Sequence, residues 1–162
     1  MRHPLVKVGV LGFACGALAF AAFHQGTQHV LHNYAQNWPA LAGALGPMPG
    51  PGWNLAPVAA PALAGFGIPV LAAQLLWGGA WGVLIAALIR WAHLPDLLTG
   101  ALAGGLGATL AVSLGPLAPE GLEPALDAHS LLRCLVLNGG FGFGAALLMR
   151  PFGIQRPVRR GH

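Results

Sequence analysis

Histidine, glutamine and asparagine crowd one short stretch, residues 23–34, which reads FHQGTQHVLHNY. On a helix, His24, Gln28 and His32 recur every four residues and share a face, while Gln25, His29 and His32 form a second, overlapping set. Neutral imidazoles at i and i+3 or i+4 can bind a metal ion, and a single imidazole can ligate haem iron or meet a quinone. His24, His29 and His32 are therefore the candidate cofactor ligands. No Cys, Asp or Glu lies beside them to complete a metal set, and the chain has no Cys-x-x-Cys-His for covalent haem. The competing reading is a helix end that has left the hydrocarbon, its side chains bonded to water, headgroups and the following loop. That reading implies no metal and no cofactor, with haem or quinone as the alternative.

The other polar groups in apolar surroundings are few. Gln74, Thr99, Thr109, Ser113 and Asn138 are neutral, and Gln74 and Asn138 are placed to make hydrogen bonds between helices. Arg133 stands close to Glu120, Glu123 and Asp127, which points to a local ion pair or a snorkelling side chain. Asp96, directly after Pro95, reads as a helix cap. Ion-coupled transporters place ionisable groups within their spans, and here the spans hold almost none. Gly-x-Ser-x-Gly, a phosphate loop, paired carboxylates and a metallopeptidase helix are all missing, so the chain does not read as an enzyme.

The elements that position these residues follow from composition. Of 162 residues, 56% are hydrophobic and 7% charged. A soluble domain carries about 25% charged residues, so this chain could not cover a globule with polar groups. The expectation is an all-α integral membrane bundle forming one domain. A span needs roughly 20 apolar residues, and four runs qualify, at about 6–23, 68–91, 97–114 and 130–149. Cys15 and Cys134 lie in these runs and read as small buried hydrophobes.

Arg2, Lys7, Arg90, Arg150, Arg156, Arg159 and Arg160 fall on one side of a four-span topology. The positive-inside bias then places both termini in the cytoplasm of a bacterial inner membrane. The basic tail, 150–162, suits anionic lipid headgroups, and it lacks the interleaved aromatics of a nucleic-acid binder. A cleaved signal peptide ending at AFA, residues 19–21, is the rival to an uncleaved first span.

Residues 25–67 contain no Lys, Arg, Asp or Glu and are rich in proline and glycine. The first span is expected to continue as helix to about Asn37, until Pro39 stops it. The rest should lie in the outer interface, with Trp38 and Trp53 as anchors. His24 should bond a backbone carbonyl or Gln74, and Pro69 should sit in the first turn of span two.

A shift of 60 residues lays WGGAWGVLIAALIR (77–90) over LNGGFGFGAALLMR (137–150), so spans two and four look like copies in two tandem helical hairpins. Each span also holds a Gly-x-x-x-Gly, at Gly12/Gly16, Gly78/Gly82, Gly100/Gly104 and Gly140/Gly144. Such pairs serve close packing inside a bundle or an oligomer face.

FHQ closing span one, and GIP followed by WGGAWG in span two, resemble a group of small, uncharacterised bacterial inner-membrane proteins. The resemblance covers about the first 90 residues. It implies a multi-span protein and carries no catalytic residue, and it marks His24, Gln25, Pro69, Trp77 and Trp81 as positions to probe. The expected function is a non-enzymatic accessory or assembly subunit of a larger membrane complex, or a homo-oligomer joined through glycine faces. The alternatives are a small channel for a neutral solute and a histidine-based haem or quinone protein.

Overall fold

Among the described residues, four helical rods are long and apolar enough to cross a membrane: Leu5–Asn37, Val70–Trp91, Asp96–Leu114 and Ala128–Phe152. The structure is a computed structural model. It describes residues 4–52, 57–59, 67–92, 94–115, 119, 122 and 124–154. Arg2, Trp53, Glu120, Glu123, Arg156, Arg159 and Arg160 lie outside the described residues, and the expectations resting on them go no further here. The all-α membrane-spanning bundle expected from composition is what the chain forms.

Span one comprises α1 (Pro4–Ala19), a π-turn at Phe20–Gln25, α2 (Gly26–Tyr34) and a 3-10 turn at Ala35–Asn37. It ends where the sequence requires. The ring of Pro39 disfavours an α conformation in the residue before it, and Trp38 is extended at φ −124°, ψ 93°. Pro39 then opens α3 (Pro39–Leu45), which stops at Gly46, in the left-handed region at φ 64°.

The chain returns through a two-stranded antiparallel ladder, β1 (Pro57–Ala59) with β2 (Gly67–Pro69), in the register Val58 opposite Ile68. Pro69 is thus the last residue of a strand and not part of the first helical turn, a correction to the sequence reading. At a strand end proline sacrifices little of the ladder. Span two, α4, follows directly as Val70–Ala92.

Span three is α5 (Asp96–Leu102), a second π-turn at Ala103–Ala108, and α6 (Thr109–Leu114). Asp96 does not cap it. Pro95 holds the cap position without a side-chain bond. The Asp96 carboxylate instead accepts two bonds from Arg150, from Nε at 2.7 Å and from Nη2 at 2.9 Å. That fork ties the start of span three to the end of span four. Span four, α7 (Ala128–Met149), has a full capping box. Asp127 accepts from the N–H of His129 and of Ser130, while Ser130 Oγ accepts from the N–H of Asp127 at 2.9 Å.

Glycine sets the packing. In the first hairpin, a methyl group added at Gly12 would lie 2.8 Å from Ala86 Cβ, and one at Gly82 would lie 2.6 Å from Gly16 Cα. In the second, a methyl at Gly100 would lie 2.6 Å from Ala146 Cβ, and one at Gly142 would lie 2.9 Å from Gly104 Cα. The 60-residue shift maps Gly82 and Ala86 onto Gly142 and Ala146, so the two seams use equivalent residues. Gly142 therefore faces span three, while Gly140 and Gly144 look toward span one, Gly144 against the Phe23 ring and Gly140 toward Thr27.

Between the hairpins lies a core that includes Phe20, Ile85, Ala86, Phe141, Ala145 and Met149. Phe20 and Phe141 meet edge to face at 5.7 Å. Trp77 packs on this core and against Trp81, whose ring reaches span three over Gly107. The end of the bundle carrying Pro4 and Ile154 is called the near end below, and the opposite end the far end.

Candidate functional site

The far end is built on the polar face of span one. Gln25 spans two neighbours: its Nε2 donates to Gln74 Oε1 at 3.0 Å, and its Oε1 accepts from the N–H of Gly52 at 2.7 Å. One turn on, Gln28 Nε2 donates to the carbonyl of Gly50 at 2.9 Å. One further turn places His32 Nδ1 2.8 Å from the carbonyl of Met48. A carbonyl only accepts, so His32 carries its proton on Nδ1. Gln25, Gln28 and His32 thus clamp residues 48–52 by their main-chain groups. A proline- and glycine-rich segment cannot satisfy those groups in a helix or sheet of its own.

Span four holds the preceding segment in the same way. His129 Nδ1 lies 2.9 Å from the carbonyl of Ala44, and Arg133 Nη1 donates to the carbonyl of Leu45 at 2.6 Å. These are the last carbonyls of α3, which have no acceptor role inside the helix. A cation there also meets the negative end of the helix dipole. Arg133 is buried at 6% exposure. Sequence reasoning directed Arg133 to carboxylates, two of which lie outside the described residues. It missed the Leu45 carbonyl because nothing local signals a contact 88 residues away.

Asp127, expected as an ion partner of Arg133, is chiefly the cap of α7. The N–H of Ser130 does most to hold its carboxyl below the ordinary value of 3.8, with smaller help from His129, the Ser130 hydroxyl and the charge of Arg133.

His24 behaves differently from its neighbours. It is 4% exposed, and its ring stacks on Phe20 at 4.3 Å with 12° between planes. The π-turn explains the stack, because i→i+5 bonding widens the turn and brings side chains four apart nearer to eclipse. The expected bond from His24 to a carbonyl or to Gln74 is not made. Gln25, the adjacent residue, faces span two and takes Gln74. His24 Nδ1 has no hydrogen-bond partner among the described residues.

The three candidate histidines are not brought together. His29 is exposed beside Asn33, His32 holds Met48, and His24 is buried. No group of three or more His, Cys, Asp or Glu able to hold a metal occurs among the described residues.

His24 instead lines a chamber of about 370 Å³ between spans one, three and four. Its polar lining comes from His24, Gln28, Arg133 and Asn138, and the Pro49–Gly50 main chain covers it. Asn138 is held in place by donating from Nδ2 to Thr109 Oγ1 at 3.0 Å. Val112, Leu122 and Leu137 form the apolar wall, and Cys134 completes it. Four residues singled out from sequence for separate reasons, His24, Arg133, Asn138 and Cys134, therefore share one cavity. Its size falls within the roughly 300–1,000 Å³ of small-molecule sites. Gln74, Trp77 and Trp81 stand apart from it and join helices. The chain matches no protein-family model, no curated protein and no solved structure.

Proposed function

We propose that the protein is a non-enzymatic accessory subunit of a larger membrane complex that holds a small molecule in its far-end chamber. We place it in the bacterial inner membrane with both termini in the cytoplasm, so that the chamber opens toward the outer leaflet. One observation carries the ligand-holding part: a buried imidazole whose Nδ1 has no partner among the described residues lines a cavity of ligand size. Leaving such a group unsatisfied costs about 1–3 kcal/mol, so it marks a place where something else bonds. The orientation rests on Lys7, Arg90 and Arg150, which all belong to near-end segments. The accessory part rests on an uncharged far-end segment, residues 38–52, that the spans hold by its main chain and that offers a partner no charge.

Transport of a neutral solute is the second reading, favoured by the equivalent seams of the two hairpins. Against it, the glycine seams and the Phe20, Phe141 and Met149 core fill the bundle below the chamber. A path for solute needs a continuous wet channel.

Purification in a mild detergent, followed by native mass spectrometry and identification of co-purifying chains, tests both parts. The expected spectrum has one small molecule per chain together with a stoichiometric membrane partner. A bare homo-oligomer that makes liposomes leak a neutral solute would overturn the proposal in favour of transport.

A further inference from the structure

We infer that the chamber takes a neutral, hydroxyl-bearing amphiphile, with its hydroxyl between His24 and the carboxamides of Gln28 and Asn138 and its apolar body along Val112 and Leu137. This rests on the ligand-holding reading and deepens it. The polar groups of the lining are engaged to different extents. Arg133 is taken up within the protein: its Nη1 donates to the carbonyl of Leu45, the guanidinium has further partners, and its charge acts on the Asp127 carboxyl. The Gln28 nitrogen is also engaged, with the carbonyls of Gly50 at 2.9 Å and of Pro49 at 3.5 Å.

Acceptors are what remain. A carbonyl only accepts, so the Gln28 nitrogen must face the main chain of Pro49 and Gly50, and its Oε1 is left over. Asn138 gives its Nδ2 to Thr109 Oγ1, which leaves Oδ1. His24 adds a ring whose Nδ1 has no partner among the described residues. An uncharged imidazole carries one N–H and one bare nitrogen, and a hydroxyl both donates and accepts. A single hydroxyl can therefore give its proton to a carboxamide oxygen while accepting the imidazole N–H. A carboxylate or a ketone only accepts and would leave the carboxamide oxygens bare. A carboxylate would also lose its hydration on entering.

The wall of Val112, Leu122 and Leu137 then favours a hydrocarbon body over a small polyol. A prenyl alcohol and a diacylglycerol share the required chemistry.

The experiment is binding to the full chain in dodecyl maltoside, read by calorimetry and thermal shift, with three probes of equal chain length: octanol, 2-octanone and octanoate. The wild type is expected to bind octanol about fivefold tighter than 2-octanone, the size of one neutral hydrogen bond, and about tenfold tighter than octanoate. His24→Phe, which keeps the stack on Phe20, should weaken octanol about fivefold. Leu137→Trp fills the chamber, should abolish specific binding of octanol, and sets the baseline for partition into the micelle.

Binding of 2-octanone or octanoate by the wild type as tight as that of octanol would overturn the hydroxyl inference while leaving the ligand-holding reading intact. An octanol affinity unchanged in His24→Phe would overturn it as well. Failure of every probe, together with a bare native mass spectrum, would overturn both. In that spectrum a retained prenyl alcohol or diacylglycerol supports the inference, and its mass tells the two sources apart. A retained fatty acid, anionic phospholipid or hydroxyl-free molecule such as a quinone overturns it.

Discussion

Gln25 and His24 are neighbours in sequence with opposite energetic positions. Gln25 bonds through both its carboxamide nitrogen and its oxygen, so its loss should leave the N–H of Gly52 without that acceptor. We expect Gln74→Leu to destabilise the protein by about 1–3 kcal/mol, because the Gln25 carboxamide keeps a buried N–H without an acceptor. Adding Gln25→Leu should restore little, since the N–H of Gly52 then loses its acceptor. Thermal unfolding in detergent reads both. His24→Phe should be neutral or stabilising in the same assay, because the stack on Phe20 survives and an unpartnered polar atom is removed. A large loss would mean that the imidazole has a bonding partner in the ligand-free protein.

Sequence alone identified these residues as a polar cluster at the end of a span. It could not divide their roles, because the division depends on a π-turn that no residue type in FAAFHQ announces. Asp127 gives the pH-dependent term. Its folded carboxyl titrates below 3.8. Its contribution is therefore complete above the unfolded value and is lost as pH falls through the lower folded value. An acid titration of wild type against Asp127→Ala should diverge in stability at neutral pH and converge in strong acid. Asp127→Asn, which can still cap, should flatten the acid limb.

The helix seams are the next level of organisation. Gly82 and Gly142 occupy equivalent places in the two hairpins, and at each a side chain would drive into opposing backbone. Gly82→Ala and Gly142→Ala should each cost about 1–3 kcal/mol by overpacking. Gly9→Ala and Gly26→Ala, which meet open space, should stay within about 0.5 kcal/mol of wild type. Equal effects at all four positions would show that the seams do not control packing.

The four spans were legible because hydrophobic length is a local property. The stop before Pro39 was legible because proline restricts the residue preceding it. The faces used by Gly140 and Gly144 were not, since spacing gives periodicity and leaves open which neighbour each face meets. The Asp96–Arg150 fork was hidden for a similar reason. Its partners are 54 residues apart, and an Asp after proline has an obvious local reading as a cap. A double-mutant cycle on Asp96→Asn and Arg150→Gln should show favourable coupling that weakens as salt is raised, as befits a pair with a half-exposed Arg150.

Taken as one object, the molecule is two glycine-seamed hairpins that pack closely along their seams and leave a chamber at the far end. The clamped segment covers the resulting space, and the polar groups converge there. This arrangement could not be read from composition, because the chamber is defined by what three spans and a distant loop leave unfilled. Cys134 lines the chamber while Cys15 is buried in the core, so thiol chemistry can ask whether the chamber is open and wet. The decisive measurement is labelling of the Cys15→Ala protein, in right-side-out vesicles, by a small water-soluble thiosulfonate. The account predicts modification of Cys134 from the outer face. Failure of the reagent to modify either Cys134 or a cysteine placed by Leu137→Cys, in protein that keeps its native unfolding temperature, would contradict it.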